Sequence, residues 1–228
     1  MPVNACVFDA YGTLFDVAGA ARAAAAQDEG ADWVAHWPQL AADWRRKQLE
    51  YTWLRALSGT HADFWQVTAD ALDWALDAAE LSDPALRTRL LALYRELPAY
   101  PEVPSVLAAL RARSMPCAIL SNGSPAMLAD AIASAGIGET LSAVISVEEA
   151  GVFKPAPQVY ALVERHLGLP PAQVGFVSAN GWDACSAAGF GFHSIWVNRE
   201  GAPMDRLAAR PAQVLGDLSP LPDIIKRD

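Results

Sequence analysis

Asp9 stands where a short apolar run, Ala5-Cys-Val-Phe8, meets a tight turn containing Gly12. If that run is a strand buried on both faces of a parallel sheet, the carboxylate lies beyond its carboxyl end, where open α/β folds gather their ligands, and it can serve as a nucleophile. The same residue could instead be a solvated loop aspartate or a helix cap. A second apolar run, Pro116 to Leu120, ends in Ser121-Asn122-Gly123 and leads to Ser124-Pro125, the cap and first-turn proline of a helix. Free backbone N–H groups at such a helix start can hold an anion. Lys154-Pro155 adds a cation in a loop, and Ser178-Ala-Asn-Gly-Trp-Asp183 follows a third apolar run, Val174 to Val177. A carboxylate placed as a nucleophile is thus accompanied by a cation and by polar turns that follow two further apolar runs.

Elements of two kinds must hold these residues in place. From Asp16 to about Pro98 the sequence is rich in alanine and tryptophan, has helical period and contains no convincing strand. Helices are expected over Ala20–Ala26, Ala35–Leu57, Ala62–Glu80 and Pro84–Leu97, with Trp33, Trp37, Trp44, Trp53, Trp65 and Trp74 mostly packing helix against helix. After Tyr100-Pro101-Glu102 strands and helices alternate: helix Val103–Arg113, strand Pro116–Leu120, strand Ala143–Ser146, helix Gln158–Leu167, strand Val174–Val177, a helix around Ala184–Ala188 and strand His193–Val197. This alternation predicts an α/β fold with a doubly wound, mainly parallel sheet that gathers Asp9, Ser121, Lys154 and the Ser178–Asp183 loop at one edge. Residues 1–15 and 99–228 form that core, and residues 16–98 form an inserted helical cap.

Hydrophobic residues make up 53% of the 228 positions and charged residues 19%, enough to bury a large core. A net charge of −9 without a basic run argues against a nucleic-acid surface. No apolar run reaches membrane-spanning length and the first residues lack the pattern of a signal peptide, so a cytoplasmic protein is expected. Cys6, Cys117 and Cys185 lack metal-ligand spacing and read as buried, inert thiols.

Phe8-Asp9-Ala-Tyr-Gly12-Thr13-Leu14, Leu120-Ser121-Asn122-Gly123, Lys154-Pro155 and Phe176-Val-Ser-Ala-Asn-Gly-Trp-Asp183 occur in the order of the four motifs of the haloacid dehalogenase superfamily. With the segment Trp44-Arg45-Arg46-Lys47-Gln48-Leu49-Glu50-Tyr51-Thr52-Trp53, the chain most closely resembles the type II L-2-haloacid dehalogenases. Superfamily phosphatases carry an acid two residues after the nucleophile and a metal-binding aspartate in the fourth motif. Here these positions are Tyr11 and Ala179. A halide leaves without a proton, and alanine offers no oxygen to a hard cation. The resemblance therefore implies metal-free displacement at carbon with no cofactor, rather than Mg²⁺-dependent phosphatase action or silent binding.

It also implies a role for each site residue. Asp9 attacks C2 of a short L-2-haloalkanoate, expelling halide with inversion, and water opens the ester to give the D-2-hydroxy acid. Thr13 and Ser178 orient the nucleophile side, and Lys154 keeps Asp9 ionised, with Tyr160 bonded into its network. Arg45 takes the halide, helped by Asn122 and by aromatic edges. Ser121 and Asn122 bind the substrate carboxylate. Asn180 and Asp183 position and activate the water. Ala10, Tyr11, Leu49, Phe64 and Trp182 wall a small pocket. Arg46 stands where the family pattern has a polar amide. A homodimer is expected.

Overall fold

A computed structural model of the chain describes residues 3–28 and 31–226. Residues 1–2 and 227–228, assigned above to the core, and 29–30, assigned to the cap, lie outside the described residues. In chain order the elements are β1 (Ala5–Phe8), α1 (Val17–Gln27), α2 (Asp32–Ser58), α3 (Phe64–Ala78), α4 (Pro84–Leu93), α5 (Val103–Ala112), β2 (Cys117–Ser121), α6 (Pro125–Ala135), β3 (Ala143–Ser146), α7 (Pro157–Leu167), β4 (Val174–Ser178), α8 (Gly181–Phe190), β5 (His193–Val197), β6 (Gln213–Leu215) and α9 (Leu221–Ile224).

The strands form one parallel sheet in the order β3-β2-β1-β4-β5-β6. β1, β2 and β4 are buried along their whole length, which is why they read in the sequence as continuous apolar runs. Strand order reverses direction at β1, so the crevice beyond its carboxyl end is the switch point of the sheet. Asp9 lies one residue past β1, and its N–H continues the ladder to the Val177 carbonyl at 2.8 Å. The chain then turns at Gly12, whose φ of +84° suits a residue without Cβ.

The four helices α1–α4 come between β1 and α5, with α2 against α3, α3 against α4, and α1 against both α2 and α4. Trp33, Trp37 and Trp44 are buried and Trp65 and Trp74 half-buried, whereas Trp53 faces outward beside Trp182, with ring centroids 5.5 Å apart. The chain leaves and re-enters the sheet region through two neighbouring segments. Phe15 bridges to Ala99, the Asp16 N–H donates to the Pro98 carbonyl at 2.9 Å and the Tyr100 N–H to the Leu14 carbonyl at 3.0 Å. Arg199, just after β5, lies across this crossing. It bonds the Thr13 carbonyl at 2.9 Å and the Glu102 carboxylate at 2.7 Å, and its guanidinium carbon sits 3.6 Å from the Tyr100 ring centroid.

Besides the short helix α9, which the sequence reading lacks, three features differ from that reading. Helix α2 begins at Asp32 and runs through Pro38, giving up one backbone hydrogen bond within a helix of 27 residues. His193–Val197 is followed by a further strand, β6, too short and too exposed at Val214 to show a strand pattern. Helix α4 ends at Leu93 rather than Leu97.

Candidate active site

Asp9 is almost wholly buried, with 7% exposure, and its two oxygens are held differently. Oδ2 accepts from the Thr13 hydroxyl at 2.9 Å and from Asn180 Nδ2 at 3.0 Å, while Oδ1 accepts from Lys154 Nζ at 3.1 Å. Each partner is itself fixed. Thr13 Oγ1 accepts the Ala179 N–H at 2.8 Å, and the Asn180 N–H donates to Ser178 Oγ at 3.2 Å. Asn122 Oδ1 accepts the Lys154 backbone N–H at 3.0 Å, tying the turn after β2 to the loop that carries the cation.

Lys154 is 1% exposed and also donates to Asp183 Oδ2 at 2.9 Å. The other oxygen of Asp183, Oδ1, accepts from the Tyr160 hydroxyl at 2.7 Å, and Tyr160 is wedged among Phe176, Phe190 and Phe192. Burial works against the Lys154 ammonium, but the charges of Asp183 and Asp9 outweigh it, so its pKa lies above the ordinary lysine value. Burial raises the Asp183 carboxyl, with Lys154 pulling it back. Burial also pushes the Tyr160 and Tyr11 hydroxyls up, so both remain proton donors at neutral pH.

This donor set does not fit a magnesium ion. The ammonium of Lys154 lies between the two carboxylates that would ligate it, and Ala179 offers no side-chain oxygen. Among the described residues no group of three His, Cys, Asp or Glu side chains converges on a metal position.

Arg45 reaches this cluster from α2. Its Nη2 donates to Asn180 Oδ1 at 3.1 Å and its Nη1 to Gln48 Oε1 at 2.7 Å. A crevice of about 700 Å³ opens beside it, lined by Tyr11, Leu49, Asn180 and Trp182 and continuing outward past Trp37, Tyr100 and Arg199. Asp9 does not line the crevice; Asn180, which does, links it to the carboxylate. Of the residues lining the crevice, three carry a buried donor with no partner among the described residues: the Tyr11 hydroxyl, Trp182 Nε1 and Arg199 Nε. Tyr11 packs against Phe15, Phe64 and Tyr94 at 6.0 Å and lies so close to the turn after β2 that a Cβ on Gly123 would meet its ring at 2.7 Å.

The sequence-based candidates thus separate into groups. Asp9, Thr13, Lys154, Asn180, Asp183 and Tyr160 form one hydrogen-bonded cluster, which Arg45 joins through Asn180. Ser178 and Asn122 act on its backbone. Ser121 Oγ accepts the Gly123 N–H at 3.1 Å and shapes the turn, and Ala10 contributes its carbonyl to the N–H groups of Thr13, Leu14 and Phe15. Phe64 stands behind Tyr11 and outside the crevice lining. Asp183 reaches Asp9 only through Lys154, since both its oxygens are occupied and it is fully buried. Arg46, at the rim of the crevice, pairs with Asp43 and Glu50 and lies over Trp74, with about half of its side chain exposed. Three polar residues were not singled out from the sequence: Gln48 and Thr68, which are fully buried behind Arg45, and Arg199.

The family model of haloacid dehalogenase-like hydrolases matches residues 3–191. The chain is 42% identical to (S)-2-haloacid dehalogenase 1 of Pseudomonas sp. strain CBS-3, over 99% of this chain and 98% of that protein. It is 43% identical to the (S)-2-haloacid dehalogenase of Xanthobacter autotrophicus over 96% of this chain and 83% of that one. The solved structure of the L-2-haloacid dehalogenase from X. autotrophicus with chloropropionic acid covalently bound superposes with a TM-score of 0.87 at 39% identity, covering 97% of this chain and 98% of that one. With the model match and these full-length relatives, the chain belongs to the haloacid dehalogenase-like hydrolases and, within them, to the (S)-2-haloacid dehalogenase family.

Proposed function

We propose that this protein is a metal-independent (S)-2-haloacid dehalogenase that hydrolyses short L-2-haloalkanoates to D-2-hydroxy acids and halide through an ester on Asp9. The observation that carries this reading is the Lys154 ammonium bonded to both Asp9 and Asp183, in a site with Tyr11 at the acid position and Ala179 at the metal position. A fixed cation there offsets the repulsion between a carboxylate nucleophile and a carboxylate substrate. It needs neither a proton for the leaving group nor a metal.

Oδ2 already accepts two hydrogen bonds and Oδ1 one, so Oδ1 has the lone pair left for attack at C2. The C2–halogen bond breaks as the Oδ1–C2 bond forms, and the halide leaves with the electron pair toward Arg45. In the resulting ester Oδ2 is the carbonyl oxygen, and the Thr13 hydroxyl and Asn180 amide, already 2.9 and 3.0 Å away, stabilise the oxyanion when water adds to Cγ. Collapse breaks the Cγ–Oδ1 bond as one proton of the water passes to the departing Oδ1 and the other is released to solvent, so the hydroxy acid leaves with an enzyme oxygen and the water oxygen stays on the Asp9 carboxylate. Asp183 acts on this step through Lys154. Ser121, at the end of β2, and Asn122, in the turn that leads to α6, receive the substrate carboxylate.

We assign residues 1–15 and 99–228 to the catalytic core and 16–98 to a cap that brings Arg45. No described helix is long and apolar enough to cross a membrane. A cytoplasmic location and a homodimer complete the reading, the latter supported by the exposed Trp53, Leu54 and Leu57 of α2 and testable by light scattering. The deciding experiment is halide release from L- and D-2-chloropropionate with and without EDTA. Release from the L enantiomer alone, indifferent to chelator, is expected. Chelator-sensitive hydrolysis of a phosphate ester in its place would move the chain to the phosphatases.

A further inference from the structure

We infer that Gln48, supported by Thr68, is a positioning residue that holds the Arg45 guanidinium for the departing halide and keeps its charge available. The inference rests on the reading of Arg45 as the halide acceptor. Gln48 is fully buried in the middle of α2, three residues after Arg45 and hence on the same face of the helix. A buried amide is costly unless its groups are paired, and here each is matched by a partner that can take only one role.

Thr68 Oγ1 donates to the Phe64 carbonyl at 2.6 Å, so toward Gln48 it can only accept. Gln48 Nε2 therefore faces it, at 2.8 Å. That orientation turns Oε1 toward Arg45, which has only donors, and Nη1 meets it at 2.7 Å. The Tyr94 hydroxyl approaches the same oxygen at 3.5 Å. With Nη1 anchored, Nη2 is directed across to Asn180, the residue that bonds Asp9 and lines the crevice. The relay therefore runs from the α3 backbone at Phe64 to the nucleophile.

The choice of amide over carboxylate has a chemical consequence. A neutral acceptor aims the guanidinium without cancelling its charge, whereas a glutamate would form a charge-assisted pair and compete with the halide. Gln48 and Thr68 touch neither substrate nor reacting atoms, so their effect must pass through Arg45.

The test compares full-length Gln48→Glu, Gln48→Met and Thr68→Val with wild type and Arg45→Lys. It measures kcat and KM for L-2-chloropropionate, inhibition by added chloride and bromide, and thermal stability. Gln48→Glu is expected to raise both halide inhibition constants at least about tenfold while remaining folded. Gln48→Met is expected to lower kcat about tenfold with KM changed less than about threefold, and Thr68→Val to shift kcat the same way by less. A residue that only packs would lower stability and leave the halide constants of the folded enzyme unchanged. Unchanged halide constants and kcat in the Gln48 variants, beside a changed Arg45→Lys, overturn the relay alone. Unchanged values in all four variants overturn the assignment of Arg45 as well. Should Gln48→Met fail to fold, Gln48→Glu and Thr68→Val decide the question.

Discussion

Lys154 is the residue on which both fold and chemistry depend, because a buried ammonium between two buried carboxylates leaves either an intact network or uncompensated charge. Replacing it by methionine removes the only cation bonded to Asp9 among the described residues and is expected to abolish halide release. It should also destabilise the protein by about 3–5 kcal/mol in urea unfolding. Its pKa is raised, so its contribution to stability is complete below the ordinary lysine value, near about 10.4, and is lost only as pH rises through the still higher folded value. The difference in urea midpoint between wild type and Lys154→Met should therefore stay constant from pH 7 to about pH 10. A difference that shrinks by pH 9 would mean the ammonium is not held by the two carboxylates. Tyr11 gives the opposite sign. Its buried hydroxyl has no partner among the described residues, so Tyr11→Phe removes an unsatisfied group and should stabilise the fold by about 1 kcal/mol. A lower melting temperature would show that the hydroxyl is paired in solution.

At the scale of elements, residues at strand ends were legible in the sequence and residues that work through helix faces were not. Asp9 follows a fully buried strand and Ser121 and Ser178 are the last residues of two others, and each such strand prints as an apolar run whose end marks the site. Arg45 was found through the resemblance of its segment, since helical period alone does not separate it from its neighbours Arg46 and Lys47. Gln48 and Thr68 gave no signal because a polar residue on an amphipathic helix reads as exposed, and only the packing of α2 on α3 buries them against each other. Arg199 follows the last strand legible in the sequence, where no motif calls attention to it. Yet it joins the loop bearing Thr13 to the returning segment at Tyr100 and Glu102. Arg199→Met should therefore lower the melting temperature and speed hydrogen exchange in the segments 12–16 and 98–102 more than elsewhere. Arg199→Lys should recover little, because a lysine cannot make two directed bonds and stack at once. Uniformly unchanged exchange would remove the clamp.

Across the whole molecule, the charge and the substrate are of the same sign. A chain of net charge −9 repels a haloalkanoate at long range, and the cations that receive it are either buried, as Lys154 is, or already hydrogen-bonded, as Arg45 is. Long-range repulsion is screened once the Debye length falls to about 10 Å, near 0.1 M salt, whereas contacts inside the closed site are not. Raising ionic strength with a non-halide salt such as sodium sulfate should therefore increase kcat/KM for L-2-chloropropionate, by less than about threefold between 10 and 150 mM, and leave kcat unchanged. A halide salt would confuse the result, since chloride and bromide are products that compete at Arg45. A fall in kcat/KM over the same range would carry the opposite meaning. It would show that positive groups around the crevice mouth, Arg199 and Arg46 among them, steer the anion inward against the field of the rest of the protein.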